Sequence, residues 1–166
     1  KQILKLDEGL IDIHYKLADL YSVQKLIADA IAELSIVVSY YEKKNRFNEV
    51  VSILKEMLII APQNIGVRLK LAEYYHKKGF VNETIAEYEI AFKSFIKEGK
   101  LEKAEKLYLA LYPDNQMDIK VILEGLVEIY SLKGENENLI KYYKELADIY
   151  EERGESEKRK EIFERI

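Results

Sequence analysis

Cysteine and tryptophan are both absent from this chain. Without thiols there is no disulfide framework and no thiolate metal site. Proline occurs twice and glycine seven times in 166 residues. So few breakers over such a length favour long helices over many tight turns. Long apolar runs are missing too. Runs such as Met57 to Ala61 are far too short to span a bilayer, so no membrane association is expected. No dense basic run occurs, which removes the main support for phosphate-driven nucleic-acid binding. The net charge of −4 is mild, and both signs are interspersed along the chain. The first residues show no leader pattern. The expectation is a cytoplasmic protein, with any targeting segment lying upstream of Lys1.

What is present is a repeat. A turn-forming position recurs twenty residues apart, three times over: Lys25 and Asn45, Gly79 and Gly99, Gly134 and Gly154. The pair returns after 54 residues and again after 55. Apolar residues between these points follow the helical period. They predict helices over about 10–22, 26–44, 47–60, 67–78, 82–98, 101–112, 117–133 and 137–153, and from Ser156 to the end. Lys1 to Leu6 reads as the tail of an earlier helix. Pro62 to Asn64 and Pro113 to Asn115 act as stops, because proline cannot continue the hydrogen-bond ladder. Glycine at the other ends can take the left-handed conformation without a Cβ penalty. Lys25 is the odd member of the set and predicts a tighter turn, or two helices running nearly straight through.

Side chains recur in step. Leu17, Ala18 and Tyr21 correspond to Leu71, Ala72 and Tyr75, and then to Leu126, Val127 and Tyr130. On the next helix Val37, Val38 and Tyr41 correspond to Ala91, Phe92 and Phe95, and then to Leu146, Ala147 and Tyr150. A small residue lets two helices approach, and an aromatic one turn on fills the wedge where they diverge.

The stretch Leu71-Ala72-Glu73-Tyr74-Tyr75, followed by Gly79, Thr84, Tyr88 and Ala91, resembles a tetratricopeptide repeat, a 34-residue pair of antiparallel helices. Val37, Val38, Tyr41, Phe47, Val50, Leu54, Met57 and Pro62 resemble a second. Leu146, Ala147, Tyr150, Gly154 and Phe163 resemble a third, cut short. The resemblance implies an all-α fold: a right-handed antiparallel helical-repeat solenoid of about nine helices. Anchors here alternate between spacings of 20 and about 34 residues, where the family pattern keeps one. The expectation is therefore a single solenoid over 1–166 in three-helix units: about 11–64, 65–118 and 119–166, with 1–10 as the tail of a preceding unit. The long middle helix of each unit would serve two repeats at once.

Catalysis has little to stand on, and the chain is expected not to be an enzyme. His14 and His76 sit in non-equivalent positions and read as ordinary helical residues. No HExxH pair, GxSxG elbow or phosphate-cradling glycine loop is present. The carboxylates Glu151, Glu152, Glu155 and Glu157 lack the spacing of a calcium loop and alternate with Arg153, Lys158 and Arg159 as a solvated face does. No metal and no cofactor is expected.

The candidate partner-binding residues come from two sources. Among the 13 tyrosines are the adjacent pairs Tyr40-Tyr41, Tyr74-Tyr75 and Tyr142-Tyr143. Neighbours on a helix point about 100° apart, so one of each pair should leave the core. With Tyr41 and Tyr75 as anchors, Tyr40 and Tyr74 become candidates for a groove wall. The second source is the resemblance, which implies a groove lined by first-helix positions: Tyr15, Leu69 and Glu124; Lys16, Lys70 and Gly125; Asp19, Glu73 and Glu128. The acids at the last position imply a stripe suited to a ligand with spaced Lys or Arg around an apolar anchor. The lysine- and asparagine-rich clamp by which some members hold a terminal carboxylate is not visible.

The function so implied is a protein-protein interaction scaffold that binds a partner peptide or helix on its concave face. The alternative is a structural spacer or self-assembling array; a non-catalytic part of a larger enzyme comes third. Ile3, Leu4 and Leu6 at one end, and Ile162, Phe163 and Ile166 at the other, look like uncapped faces, which predicts end-to-end self-association.

Overall fold

The computed structural model describes residues 8–112 and 118–165. Among them are nine α-helices and no strand: α1 (Glu8–Val23), α2 (Ile27–Lys43), α3 (Phe47–Ile60), α4 (Ile65–Lys77), α5 (Val81–Lys97), α6 (Leu101–Leu111), α7 (Ile119–Lys133), α8 (Asn136–Glu152) and α9 (Ser156–Phe163). The expectations for Lys1–Leu6, for the stop at Pro113–Asn115 and for an end face at Ile166 lie outside the described residues.

Six of the junctions are one and the same hydrogen-bonded corner. In each, a left-handed residue ends the helix: Lys25, Asn45, Gly79, Gly99, Gly134 and Gly154, with φ between 55° and 74°. The amide of the following residue then reaches back to the carbonyl of an aromatic residue in the last turn. Leu26 donates to Tyr21, Arg46 to Tyr41, Phe80 to Tyr75, Lys100 to Phe95, Glu135 to Tyr130 and Glu155 to Tyr150, at 2.8–3.2 Å. This closes the helix end and satisfies carbonyls that have no partner inside it. Lys25 is thus a normal corner built with an unfavourable residue.

The other two junctions work differently. Asn64 caps α4 by accepting from the Val67 amide at 3.1 Å, and Asp118 caps α7 by accepting from the Lys120 amide at 2.9 Å. Each side-chain oxygen answers one of the orphan donors of a first turn. The alternation of 20 and 34 in the sequence is this alternation of corner types. Among the described residues the helix between two left-handed corners is also the longest of each three: α2, α5 and α8 have 17 residues each, against 16, 13 and 15 in α1, α4 and α7.

A left-handed lysine costs backbone energy that glycine avoids. Lys25→Gly is therefore expected to stabilise the chain by about 0.5–1 kcal/mol, part of the gain being offset by the freer unfolded chain of glycine. Urea denaturation of the variant beside the parent measures it. A loss of stability would mean that the Lys25 side chain contributes more than its backbone costs.

The helices form two compact units, one ending at Ala91 and the other beginning at Phe92. In the first, the core gathers Leu34, Val37, Val38, Val50, Ile53, Leu54 and Leu71. Consecutive helices pack, and alternate helices also meet. Asp19 of α1 faces Glu56 of α3, while Tyr74 of α4 bonds to Glu42 of α2. The unit thus has two layers, α1 with α3 and α2 with α4. Buried Thr84 returns its hydroxyl to the Phe80 carbonyl at 2.7 Å, and Arg68 on α4 holds Glu87 on α5 at 2.6 Å.

In the second unit the core gathers Ile122, Leu123, Leu126, Ile129, Leu146 and Ala147. Tyr112, just past α6, donates to Glu145 on α8. Lys120 on α7 reaches Glu155 at the start of α9, at 2.9 Å. Here too alternate helices meet. Ile162, expected on an open end face, is buried at 5 %, whereas its neighbour Phe163 is 54 % exposed.

Candidate partner-binding cleft

An open depression lies in the second unit, where α9 folds back beside α7 and α8. Its volume is about 460 Å³. Tyr143, Leu146 and Ile162 form an apolar floor, with Val127 beside them. Glu124, Glu128 and Glu161 stand on the rim with Lys158 and Arg165. The helical period explains the α7 wall: Glu124, Glu128 and Ser131 are three or four residues apart and so share one face. Leu126 and Ile129 turn inward from it and fix its orientation.

Tyr150 stiffens the cleft. Its ring is buried, and its hydroxyl donates to Glu124 Oε1 at 2.7 Å. The ammonium groups of Lys120 and Lys158 lie 5.2 and 5.5 Å from its ring centroid. Burial, followed by the bond to Glu124, pushes the Tyr150 hydroxyl well above the usual phenol range. It therefore stays a neutral donor and holds Glu124 in place.

The structure treats the sequence-derived candidates unequally. Glu124 and Glu128 come together in this cleft, both exposed. Lys70 and Tyr74 come together on Glu42: Lys70 Nζ lies 2.9 Å and the Tyr74 hydroxyl 2.6 Å from Glu42 Oε1. Burial is the main force raising the Tyr74 hydroxyl, and the Glu42 carboxylate adds to it. Lys70 also borders a depression of about 320 Å³ with Val38, Leu54, Met57 and Val67. Leu69 is half-buried and Glu73 exposed on α4.

On α1, Lys16 and Asp19 are exposed, and Tyr15 is half-buried. Burial and then the charge of Glu56 push the Tyr15 hydroxyl up to about 12. Asp19 and Glu73 stand on α1 and α4, in opposite layers of their unit, so the structure does not align them as one stripe.

Tyr40 is a correction. It is 7 % exposed and belongs to the core, while its neighbour Tyr41 is only half-buried. The rings meet edge-on with centroids 5.2 Å apart. The 100° step does separate the two side chains, but the first of the pair is the one that joins the core. Tyr142 and Tyr143 are both buried, because α8 is covered on two sides.

Sequence reasoning missed Tyr143, Leu146 and Ile162 as cleft residues. Tyr150 and Leu146 carried a clear signal, but it was one of core packing. Only the return of α9 turns part of that core into a floor. Among the described residues no cluster of His, Asp and Glu is placed to hold a metal ion. No described helix is long and apolar enough to cross a membrane. His14 pairs with Glu33 across α1 and α2, a contact that accounts for it structurally.

Comparison with known proteins gives one family. Residues 122–157, which span most of α7, all of α8 and the corner after it, match the tetratricopeptide repeat. No curated protein matches the chain. Similar solved structures include the Podosopora anserina putative kinesin light chain, with nearly identical TPR-like repeats. It is 17 % identical, with 96 % of this chain and 94 % of that one covered and a TM-score of 0.45. Another is BtubC (BKLC) from P. vanneervenii, at 14 % identity, 95 % and 88 % coverage and a TM-score of 0.41.

Proposed function

We propose that this chain, carrying a tetratricopeptide repeat in its second half, is a protein-interaction scaffold whose α7–α9 cleft receives a peptide or helix of a partner protein. The observation that carries the reading is the cleft itself. It joins an apolar floor of Tyr143, Leu146 and Ile162 to a rim with three carboxylates and two cations. An apolar anchor in such a depression removes surface from water, and the rim sets orientation.

Lys158 is already paired with Glu155 at 2.7 Å, which weakens its effect on an incoming charge. The rim therefore favours Lys or Arg flanking the anchor. The partner is a protein rather than a nucleic acid or a membrane, and the scaffold needs no cofactor.

The test begins with capture of the partner from the source cell, followed by calorimetry on the identified segment. Glu128→Arg with Glu161→Arg should weaken its binding about tenfold, or ~1.4 kcal/mol. Helical content should be unchanged, since both side chains are exposed. Unchanged affinity would place the binding face elsewhere on the chain.

A further inference from the structure

The corners after α2 and α4 lie side by side in the first unit and build a surface that neither builds alone. Phe47, at the start of α3, stacks on Phe80, with centroids 6.4 Å apart and planes inclined by 29°. Tyr74 closes on the same Phe47 ring at 5.8 Å. Phe80 remains 46 % exposed. Two adjoining depressions, of about 180 and 430 Å³, share Asn45, Arg46, Phe47 and Lys78.

The rim of this surface is basic. Lys77 and Lys78 come from the second corner and line the depressions, and Arg46 joins them from the first. Lys78 Nζ lies 5.0 Å from the Phe47 centroid and Lys77 Nζ 5.3 Å from that of Tyr74. The nearby acids are already engaged. Glu42 takes Lys70 and Tyr74, and Glu49 takes Arg46. Among the described residues, neither Lys77 nor Lys78 has a carboxylate at ion-pair distance. A chain of net charge −4 thus presents a locally positive surface with an aromatic centre.

We propose that this double corner is a second docking site, and that its occupant is an acidic peptide segment with one apolar side chain. The side chain enters against Phe80 and Phe47, and the flanking carboxylates meet Lys77 and Lys78. Charge complementarity selects the occupant. A single-stranded nucleic acid would also be drawn to the charge, but it needs open ring faces on which to stack its bases. Lys78 and Lys77 already cover Phe47 and Tyr74. Carboxylates can pair with the same ammonium groups while these keep their places over the rings. The site shares no residue with the α7–α9 cleft.

Fluorescence anisotropy on the 166-residue chain tests this with three probes: a short Asp/Glu-rich peptide with one central leucine, the same peptide with alanine for leucine, and an oligothymidylate. The leucine peptide should bind saturably, and binding should weaken as salt is raised. The alanine peptide should bind more weakly. Lys77→Gln with Lys78→Gln should lower affinity on the order of tenfold, and Phe80→Ala should abolish the advantage of leucine. Far-UV circular dichroism confirms that both variants stay helical. Glu128→Arg with Glu161→Arg should leave this binding intact, so a failure here is distinct from a failure of the cleft. No saturable binding of the leucine peptide overturns the proposal. So does affinity insensitive to the lysine changes, or tighter binding of the oligothymidylate.

Discussion

Gly125→Leu is expected to destabilise the protein by about 3 kcal/mol or more, at the upper end of what overpacking usually costs. By helix propensity alone the change should help, since glycine is about 0.8–1 kcal/mol worse than alanine in a helix interior and leucine is close to alanine. Packing decides the sign. Gly125 lies within α7, and a Cβ there would fall 2.0 Å from Tyr108 Cζ on α6 and 2.4 Å from its hydroxyl. The Tyr108 ring has little room to retreat. It is 6 % exposed and lies flat on Phe92, with centroids 3.4 Å apart and planes inclined by 9°. Either the helices separate or a stacked pair is broken. Guanidinium denaturation of Gly125→Leu and Gly125→Ala should show both below the parent, with leucine lower. Pairing Gly125→Ala with Tyr108→Leu should recover part of the loss, because the two residues share one space. A Gly125→Ala protein more stable than the parent would show that the ring moves aside freely.

Tyr130→Ala is expected to cost about 3–5 kcal/mol, by analogy with truncation of a buried phenylalanine. Tyr130 is 3 % exposed and stacks on Tyr142, with centroids 5.4 Å apart. Its hydroxyl donates to Glu105 on α6 at 2.6 Å, and Lys133 reaches the same carboxylate at 2.8 Å. The bonds from Lys133 and then Tyr130 hold the Glu105 carboxyl below the usual carboxylate range. Truncation removes the ring, opens a cavity at the α7–α8 contact and takes one donor from Glu105. Tyr130→Phe separates these effects. It keeps the stack, and Glu105 keeps Lys133, so the loss should be about 1 kcal/mol, the worth of one hydrogen bond. Equal losses for Ala and Phe would assign the stability to the bond and not to burial.

These two residues show different degrees of legibility. Tyr130 is visible in the sequence, because it recurs with Tyr21 and Tyr75 at the same distance before a turn. The structure adds that at the corner it is the backbone carbonyl of all three, not the ring, that receives the following amide. Gly125 is not visible. Its register matches Lys16 and Lys70, which implied an open groove position. The ring that demands glycine is on another helix, and no local pattern announces it.

The same division holds for the candidate site. Glu124 and Glu128 are four residues apart on one helix, and a helical period is enough to place them on one face. Tyr40 shows where such reasoning stops. The period separates it from Tyr41 but does not say which of the two the neighbouring helix will cover. The basic rim of the double corner stayed hidden for another reason. Arg46 and the pair Lys77-Lys78 lie some thirty residues apart, and neither is dense enough to draw notice alone.

The sequence by itself determined the elements. Its apolar period set the helices, its left-handed residues and Pro62 set their ends, and the recurrence of the pattern declared a repeat. These are local properties, carried by backbone conformation and by side chains within a few residues. Tertiary structure decided the pairing. Within the first unit the helices alternate between two layers, so Asp19 on α1 and Glu73 on α4, which correspond in sequence, stand in opposite ones. Equivalence in sequence is then not equivalence in space. Surfaces built from two corners, or closed by a returning helix, depend on contacts between residues far apart in the chain, and only the packed molecule supplies those.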